Sequence, residues 1–167
     1  SGTGKDLANA SKPCYLETKS ARVALISAAS SFDIASMAGG QTADMIGRPG
    51  LNPLRFKTTY YVDSDHYEMV KELAKVTKIN AEKEFSIRNG YSNPFEEGTM
   101  PFGSSTFILD KENRIVSDPN ETDMKRIEDE IREAKKQADI VLVSLHAHET
   151  DTEDTTVPAQ FIEKFAK

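Results

Sequence analysis

The chain predicts a layered α/β fold, and three features of the sequence carry that prediction. Ile140 to Val143 is an unbroken apolar run, the pattern of a strand covered on both faces. Val23, Ala24, Leu25 and Ile26 form a second such run. Segments 65–77, 122–137 and 158–167 carry apolar residues at helical spacing and offer faces to cover one side of a sheet. The expected arrangement places 22–27, 58–62 and 140–145 as neighbours in one sheet of three layers or an incomplete four. If half the molecule lies outside the chain, an exposed apolar patch is expected where it would pack.

Composition narrows the function classes. The 167 residues, 38% hydrophobic and 29% charged, suit one compact soluble domain or a piece of a larger one. A net charge of −6, with Lys and Arg mixed among acids and no basic stripe, argues against a nucleic-acid binder. One cysteine, Cys14, excludes an intrachain disulfide framework. No stretch approaches the ~20 apolar residues a membrane span needs, and no signal-peptide pattern opens the chain. Ser-Gly-Thr-Gly begins inside a glycine turn and Phe-Ala-Lys stops without a helix-ending signal, so the chain reads as an internal fragment.

In order, 4–11 reads as a short helix ended by Pro13. The preceding glycine turn lacks the spacing of a phosphate loop. Segments 15–18 and 22–27 form a hairpin turning at Lys19-Ser20. The stretch 27–56 is punctuated by glycines and prolines and reads as a long irregular loop, a class that is usually functional or disordered. Segment 58–62 is a β-branched and aromatic strand. Asp65 and Glu68 have capping-box spacing, and Met69, Val70, Leu73 and Val76 mark the apolar face of the helix that follows. From 80 to 101 the pattern fails, with Asn89-Gly90 and Asn93-Pro94 as turn signals. Segments 105–109 and 114–116 read as a hairpin with a four-residue loop. In 122–137, Met124, Ile127, Ile131, Ala134 and Ala138 recur every three or four residues, and Glu128 pairs with Arg132 on the wet face. Pro158 is placed for the first turn of the last helix, with Phe161, Ile162 and Phe165 on its buried face.

The chemistry gathers where the strand after helix 122–137 ends. If that strand persists, Ser144, His146 and His148 share one face. Two imidazoles and the Glu149 carboxylate are potential metal ligands or acid–base groups, unless they simply end a strand and bond to backbone. His66, the remaining histidine, reads as a solvated residue in a first helical turn. Arg48 and Arg55 flank a Pro-rich turn; each fork suits a carboxylate or phosphate, or else a local partner that holds the loop. The acidic stretch 150–156 lacks EF-hand spacing and reads as a solvated loop.

An ordered set of segments resembles the CapA/PgsA family of poly-γ-glutamate capsule synthesis proteins. They are Gly2-Thr-Gly-Lys-Asp-Leu-Ala-Asn-Ala10, Tyr15-Leu-Glu-Thr-Lys19, Val23-Ala-Leu-Ile-Ser-Ala-Ala-Ser-Ser-Phe32, Gly47-Arg-Pro-Gly-Leu-Asn-Pro-Leu-Arg55, and Ala138-Asp-Ile-Val-Leu-Val-Ser-Leu-His-Ala-His-Glu149 followed by a Pro-Ala-x-Phe helix. That family resembles calcineurin-like metallophosphoesterases, so the resemblance implies that the chain is part of a layered α/β/β/α sandwich. It also implies that residues 1–167 are a single, incomplete domain of that type.

For the site, the resemblance implies a divalent metal on His146, proton handling by His148 and Glu149, and an anionic polymer or phosphoester held by Arg48 and Arg55. It further implies other capsule-synthesis proteins as partners and an extracytoplasmic, membrane-associated place in the cell envelope. Two departures stand out: the family's early acidic and Asn-His motifs and its Gly-His-x-x-His type motif do not occur in this sequence. A two-metal centre of the usual kind cannot be completed by these residues, and the chain alone is expected to be inactive. Two readings follow, a metal-dependent hydrolase or transferase and a non-catalytic subunit that binds polymer or partner proteins.

Overall fold

Ala24, Ile26 and Ala28 alternate along one strand and are all buried, and one of the two compact units of the molecule is built on that alternation. In the computed structural model, which describes residues 1–167, this first unit comprises Ser1–Phe56 and Pro119–Lys167, and Lys57–Asp118 form the second. Elements are numbered along the chain. The first unit holds β1 (Thr3–Gly4), α1 (Leu7–Ser11), β2 (Cys14–Glu17), β3 (Arg22–Ala29), β4 (Gly50–Leu51), α4 (Glu121–Lys135), β9 (Ile140–His146) and α5 (Gln160–Ala166).

Its main sheet has the order β2-β3-β9. The expected hairpin is present, β2 running antiparallel to β3 from Cys14↔Leu25 to Glu17↔Arg22. β9 lies parallel to β3 from Val23↔Ile140 to Ala29↔His146, so both strands open their carboxyl ends on the same side. The Arg22 N–H donates to Asp139 Oδ2 at 2.7 Å and the Asp139 N–H to the Arg22 carbonyl at 2.9 Å, closing the start of the pair.

α4 and α5 cover the Ala24/Ile26 side. Asn120 caps α4 by accepting from the Asp123 N–H, and the three-four spacing read from sequence delivers Ile127 and Ala134 into the core, with Met124, Ile131 and Ala138 packed around them. Phe161 of α5 is fully buried and stacks on Phe56 with ring centroids 4.1 Å apart. Burying one such side chain is worth about 1.5–3 kcal/mol. Pro158 sits ahead of α5 rather than in its first turn, opposite Thr150 in an isolated bridge.

The expectation that the apolar runs are covered on both faces is corrected. Leu16, Leu25, Ile140 and Leu142, which project from the other face, are 63%, 39%, 47% and 52% exposed. Both helices pack on one side, and Leu25 stands beside Leu142 in the parallel register, which leaves an open apolar row.

Apart from the border residues Phe56 and Pro119, which belong to the first unit, the second unit is built from β5 (Phe56–Val62), α2 (Ser64–Thr77), α3 (Ala81–Arg88), β6 (Met100–Phe102), β7 (Ser105–Leu109) and β8 (Arg114–Pro119), with sheet order β6-β7-β5-β8. This corrects the single-sheet expectation, because β5 pairs with β7 and not with β3 or β9. Its Tyr60 ring stacks on Phe107 with centroids 5.0 Å apart. The expected 105–116 hairpin is also corrected, since β5 lies between β7 and β8. The four-residue link passes over the end of β5. The Asp110 N–H donates to the Val62 carbonyl at 2.8 Å, and the Asp63 N–H to Asn113 Oδ1 at 3.0 Å.

α2 is capped by Asp63, not Asp65. It packs through half-buried Tyr67 and Val70 and buried Ala74, so of the apolar face read from sequence Val70 turns inward while Met69, Leu73 and Val76 are 66%, 51% and 70% exposed. α3 stands where no regular element was expected. Together the five α-helices and the sheets of two, three and four strands make a mixed α/β protein, consistent with an α/β sandwich.

Candidate functional site at the carboxyl end of the parallel strands

Within the first unit, the segments that leave β3 and β9 come together. The ladder ends at Ala29↔His146, so the strand persists through His146 and not to His148. Beyond it the Ser30 N–H donates to the His146 carbonyl at 3.0 Å, and the His148 N–H donates to Ser31 Oγ at 2.7 Å. Residues i and i+2 of a regular strand stand about 6.6 Å apart. Because the chain turns out of the sheet, the rings of His146 and His148 instead converge, with centroids 4.6 Å apart, near-perpendicular planes, and Nε2 atoms separated by 3.1 Å. Both imidazoles face solvent.

Glu149 points back to the end of β3. Ser30 Oγ donates to its Oε2 at 2.7 Å and Ser31 Oγ to its Oε1 at 2.8 Å. Burial opposes ionisation of this carboxyl, yet the two serine hydroxyls and the backbone N–H groups of Glu149 and His148 outweigh it and hold its pKa below the ordinary glutamate value. Glu149 is therefore a fixed carboxylate near neutral pH. Glu149 stands out in the sequence, whereas Ser30 and Ser31 read only as the polar end of a strand.

The arginines are engaged elsewhere in the first unit. Arg48 Nε donates to the Met37 carbonyl at 3.0 Å and its Nη2 to the Ile34 carbonyl at 3.5 Å, which ties the loop around the short 3-10 turn Ile34–Ser36. Arg55 clasps Asp123, with Nε on Oδ2 at 2.7 Å and Nη2 on Oδ1 at 3.0 Å, while its own N–H also donates to Oδ2 at 3.0 Å. Arg126 reaches the same carboxylate at 2.6 Å from the other side and donates to Asn52 Oδ1 at 3.2 Å. Asp123 and Asn52 are completely buried. Burial raises the Asp123 pKa, but hydrogen bonds from both arginines dominate and hold it below the usual aspartate value. Asn52 extends the network by donating its amide to the Ser27 carbonyl at 2.9 Å, two residues before β3 ends. Sequence offered one clue to Asp123: it stands four residues before Ile127, on the face of α4 that enters the core.

The remaining candidates sort plainly. In the second unit, His66 lies exposed in the first turn of α2, its Nδ1 2.8 Å from Asp63 Oδ1. Bonds from the His66 backbone, Asn113 and the His66 ring lower the Asp63 pKa to about 2. In the acidic loop, Asp151 Oδ1 accepts from the N–H groups of Glu153 and Asp154, and Asp154 Oδ1 accepts from Thr156, so those carboxylates cap their own backbone. The glycine turn is a packing feature. A Cβ on Gly4 would lie 2.3 Å from the Ala10 nitrogen.

Two imidazole nitrogens 3.1 Å apart are close enough that both would serve as ligands were a divalent ion bound there. The donor set is nonetheless short. No group of three His, Cys, Asp or Glu side chains is placed to hold a metal. No helix is long and apolar enough to cross a membrane.

Fold and strand end together define an α/β protein that offers polar ligand groups at the carboxyl edge of a parallel strand pair. The chain belongs to a bacterial capsule synthesis family: residues 1–167 match the family described as "Bacterial capsule synthesis protein PGA_cap". Two proteins of Sinorhizobium fredii (strain NBRC 101917 / NGR234), described as uncharacterized proteins y4sH and y4uA, are each 28% identical to it over 152 residues. The match covers 89% of this chain and 30% of each relative, so the chain spans under a third of their length.

Proposed function

We propose that this chain is one part of a capsule synthesis protein of metallophosphoesterase-like type that handles poly-γ-glutamate, with His146 and His148 supplying one side of a divalent-metal centre. The observation that supports this reading most is the 3.1 Å approach of the two Nε2 atoms at the mouth of the parallel strands. His146 and His148 would hold the ion, which would supply Lewis-acid activation of a bound carbonyl, phosphoryl group or water. The further ligands would come from residues outside the chain. Without the ion, one imidazole donates an N–H to the other, both rings stand open to solvent, and His148 is the proton carrier we propose. Glu149 lends a fixed negative charge beside them. The parts of Arg48 and Arg55 left exposed would meet carboxylates of the polymer. The proposed setting is the extracytoplasmic face of the cell envelope, among other capsule-synthesis proteins.

The test is calorimetric titration of the full-length protein with Zn²⁺ or Mn²⁺. Replacing His146 with Ala should weaken binding beyond the ~10–100-fold cost of losing an outer-shell partner. Affinity equal to wild type would overturn the reading. The 167-residue chain alone should show no phosphodiesterase turnover, and robust turnover abolished by chelator would contradict the proposed split site.

A second reading, a non-catalytic subunit that binds polymer or partner proteins, is favoured by one observation. Leu16, Leu25, Ile140 and Leu142 leave an exposed apolar row on the sheet of the first unit, a surface suited to a protein partner. Polymer binding by full-length protein that survives chelation and His146→Ala would select it.

A further inference from the structure

We infer that the paired hydroxyls of Ser30 and Ser31 and the Glu149 carboxylate form a latch that positions the two imidazoles, which makes Glu149 a positioning residue rather than a proton carrier. This rests on the proposed role of His146 and His148 and assigns what sets their geometry. The β3/β9 ladder stops at Ala29↔His146, so nothing in the sheet fixes the backbone that carries His148. The latch takes over at that point. Each carboxylate oxygen of Glu149 accepts from a different serine, at 2.7 and 2.8 Å. A carboxylate held at one oxygen can pivot; one held at both has its plane fixed. Ser31 Oγ also accepts from the His148 N–H at 2.7 Å, and Glu149 Oε2 receives the same N–H at 3.2 Å. The Ser30 N–H on the His146 carbonyl, at 3.0 Å, completes the set. Residues 146, 148 and 149 are thus each bound to 30 or 31, and the turn that brings the rings together cannot relax without breaking several of these bonds. Both hydroxyl protons are spent on Glu149, and with the His148 N–H they fill three of the roughly four lone-pair positions of that carboxylate. The supporting shell of a site commonly decides whether its ligands are preset or must be gathered on binding.

The experiment uses the full-length protein with two readouts: Zn²⁺ affinity by calorimetry, and the ring-to-ring nuclear Overhauser effect between His146 and His148 in metal-free, histidine-labelled protein. The variants are His146→Ala, Ser31→Ala, Ser30→Ala/Ser31→Ala and Ser31→Thr. Removing both hydroxyls should weaken Zn²⁺ binding about 10-fold or more and abolish the ring contact, with native circular dichroism retained. Ser31→Ala should give a smaller loss in both. Ser31→Thr, which keeps the hydroxyl, should restore them, a rescue that general loosening of the fold would not show. If the double variant fails to fold, the Ser31→Ala and Ser31→Thr pair decides alone. Wild-type affinity and an intact ring contact in the serine variants, beside lost binding in His146→Ala, would overturn the latch and leave the metal reading standing. Wild-type Zn²⁺ affinity in His146→Ala would overturn the metal reading instead, and the ring contact would still decide the latch.

Discussion

Two carboxylates in the first unit are each held by a pair of donors, and they are used in opposite ways. Asp123 lies fully buried between Arg55 and Arg126, all its charge answered inside the protein. Glu149 is held by two neutral serines at a strand end, and the groups beside it, the His146 and His148 rings, face solvent with their chemistry unspent. A charge pair closed on itself, as at Asp123, holds loop 52–55 to α4. A charge held by neutral donors is hydrogen-bonded but not neutralised, and it stands at the strand end that carries the two imidazoles. The contrast separates scaffold from site more sharply than residue type does, since arginines and a carboxylate were as plausible for ligand binding as histidines.

Four measurements would break or sharpen this contrast. The largest effect is expected from Asp123→Ala, which strands two arginines beside a buried gap and should cost about 3–5 kcal/mol in urea unfolding. A loss under about 1 kcal/mol would show that Asp123 does not anchor the scaffold.

Acid titration of stability comes next. Both carboxyls have folded-state pKa values below their ordinary ones. Each therefore contributes stability above its unfolded value, near ~3.9 for Asp and ~4.3 for Glu, and that contribution is lost as pH falls through the lowered folded value. Asp123→Asn should flatten the acid limb of the stability profile strongly, and Glu149→Gln only slightly. Equal flattening would erase the distinction between the two centres. Third, Ser31→Ala removes two hydrogen bonds, one to a half-buried carboxylate and one from the His148 N–H, and should cost on the order of 2 kcal/mol in the same urea assay. The smallest effect belongs to His146→Ala, an exposed ring, at within ~0.5 kcal/mol. A large loss there would mean the imidazole pair is structural.

Much of the first unit was legible in the sequence because its signals are local. The hairpin of β2 and β3, the apolar run of β9 and the Ile127/Ala134 spacing of α4 each follow from neighbours a few residues apart. The imidazole pair was legible as a candidate too, since His146 and His148 are near in sequence, and their rings do converge. What failed needed partners from afar. Nothing in the pattern of β5 says that Tyr60 will meet Phe107 rather than β3, and a four-residue link between β7 and β8 looks the same whether it turns tightly or passes over a third strand. α2 carries two apolar stripes, and the one with small Ala74 packs closer than the one with Met69 and Leu73. α3 was hidden by flanking turn signals, although Ala81-Glu-Lys-Glu is a run of good helix formers. Arg55 and Asp123 stand 68 residues apart, and Ser31 and Glu149 118, so neither partnership has a local signature.

That last separation has a consequence for how the molecule comes into being. β3 and β9 are adjacent in space, but the bonds at their ends join residues 117 to 119 apart in sequence. Contacts of such range close late, because the entropy of a long loop must be met before they contribute. At synthesis rates of about 5–20 residues per second, β3 would wait roughly 6 to 23 s for its parallel neighbour to emerge. During that interval the edge of β3 carries Leu25 and Ile26 without a partner strand, an opening for mispairing with other chains. The imidazole pair forms only after that closure, so the contact between the two rings would report that the chain has finished folding.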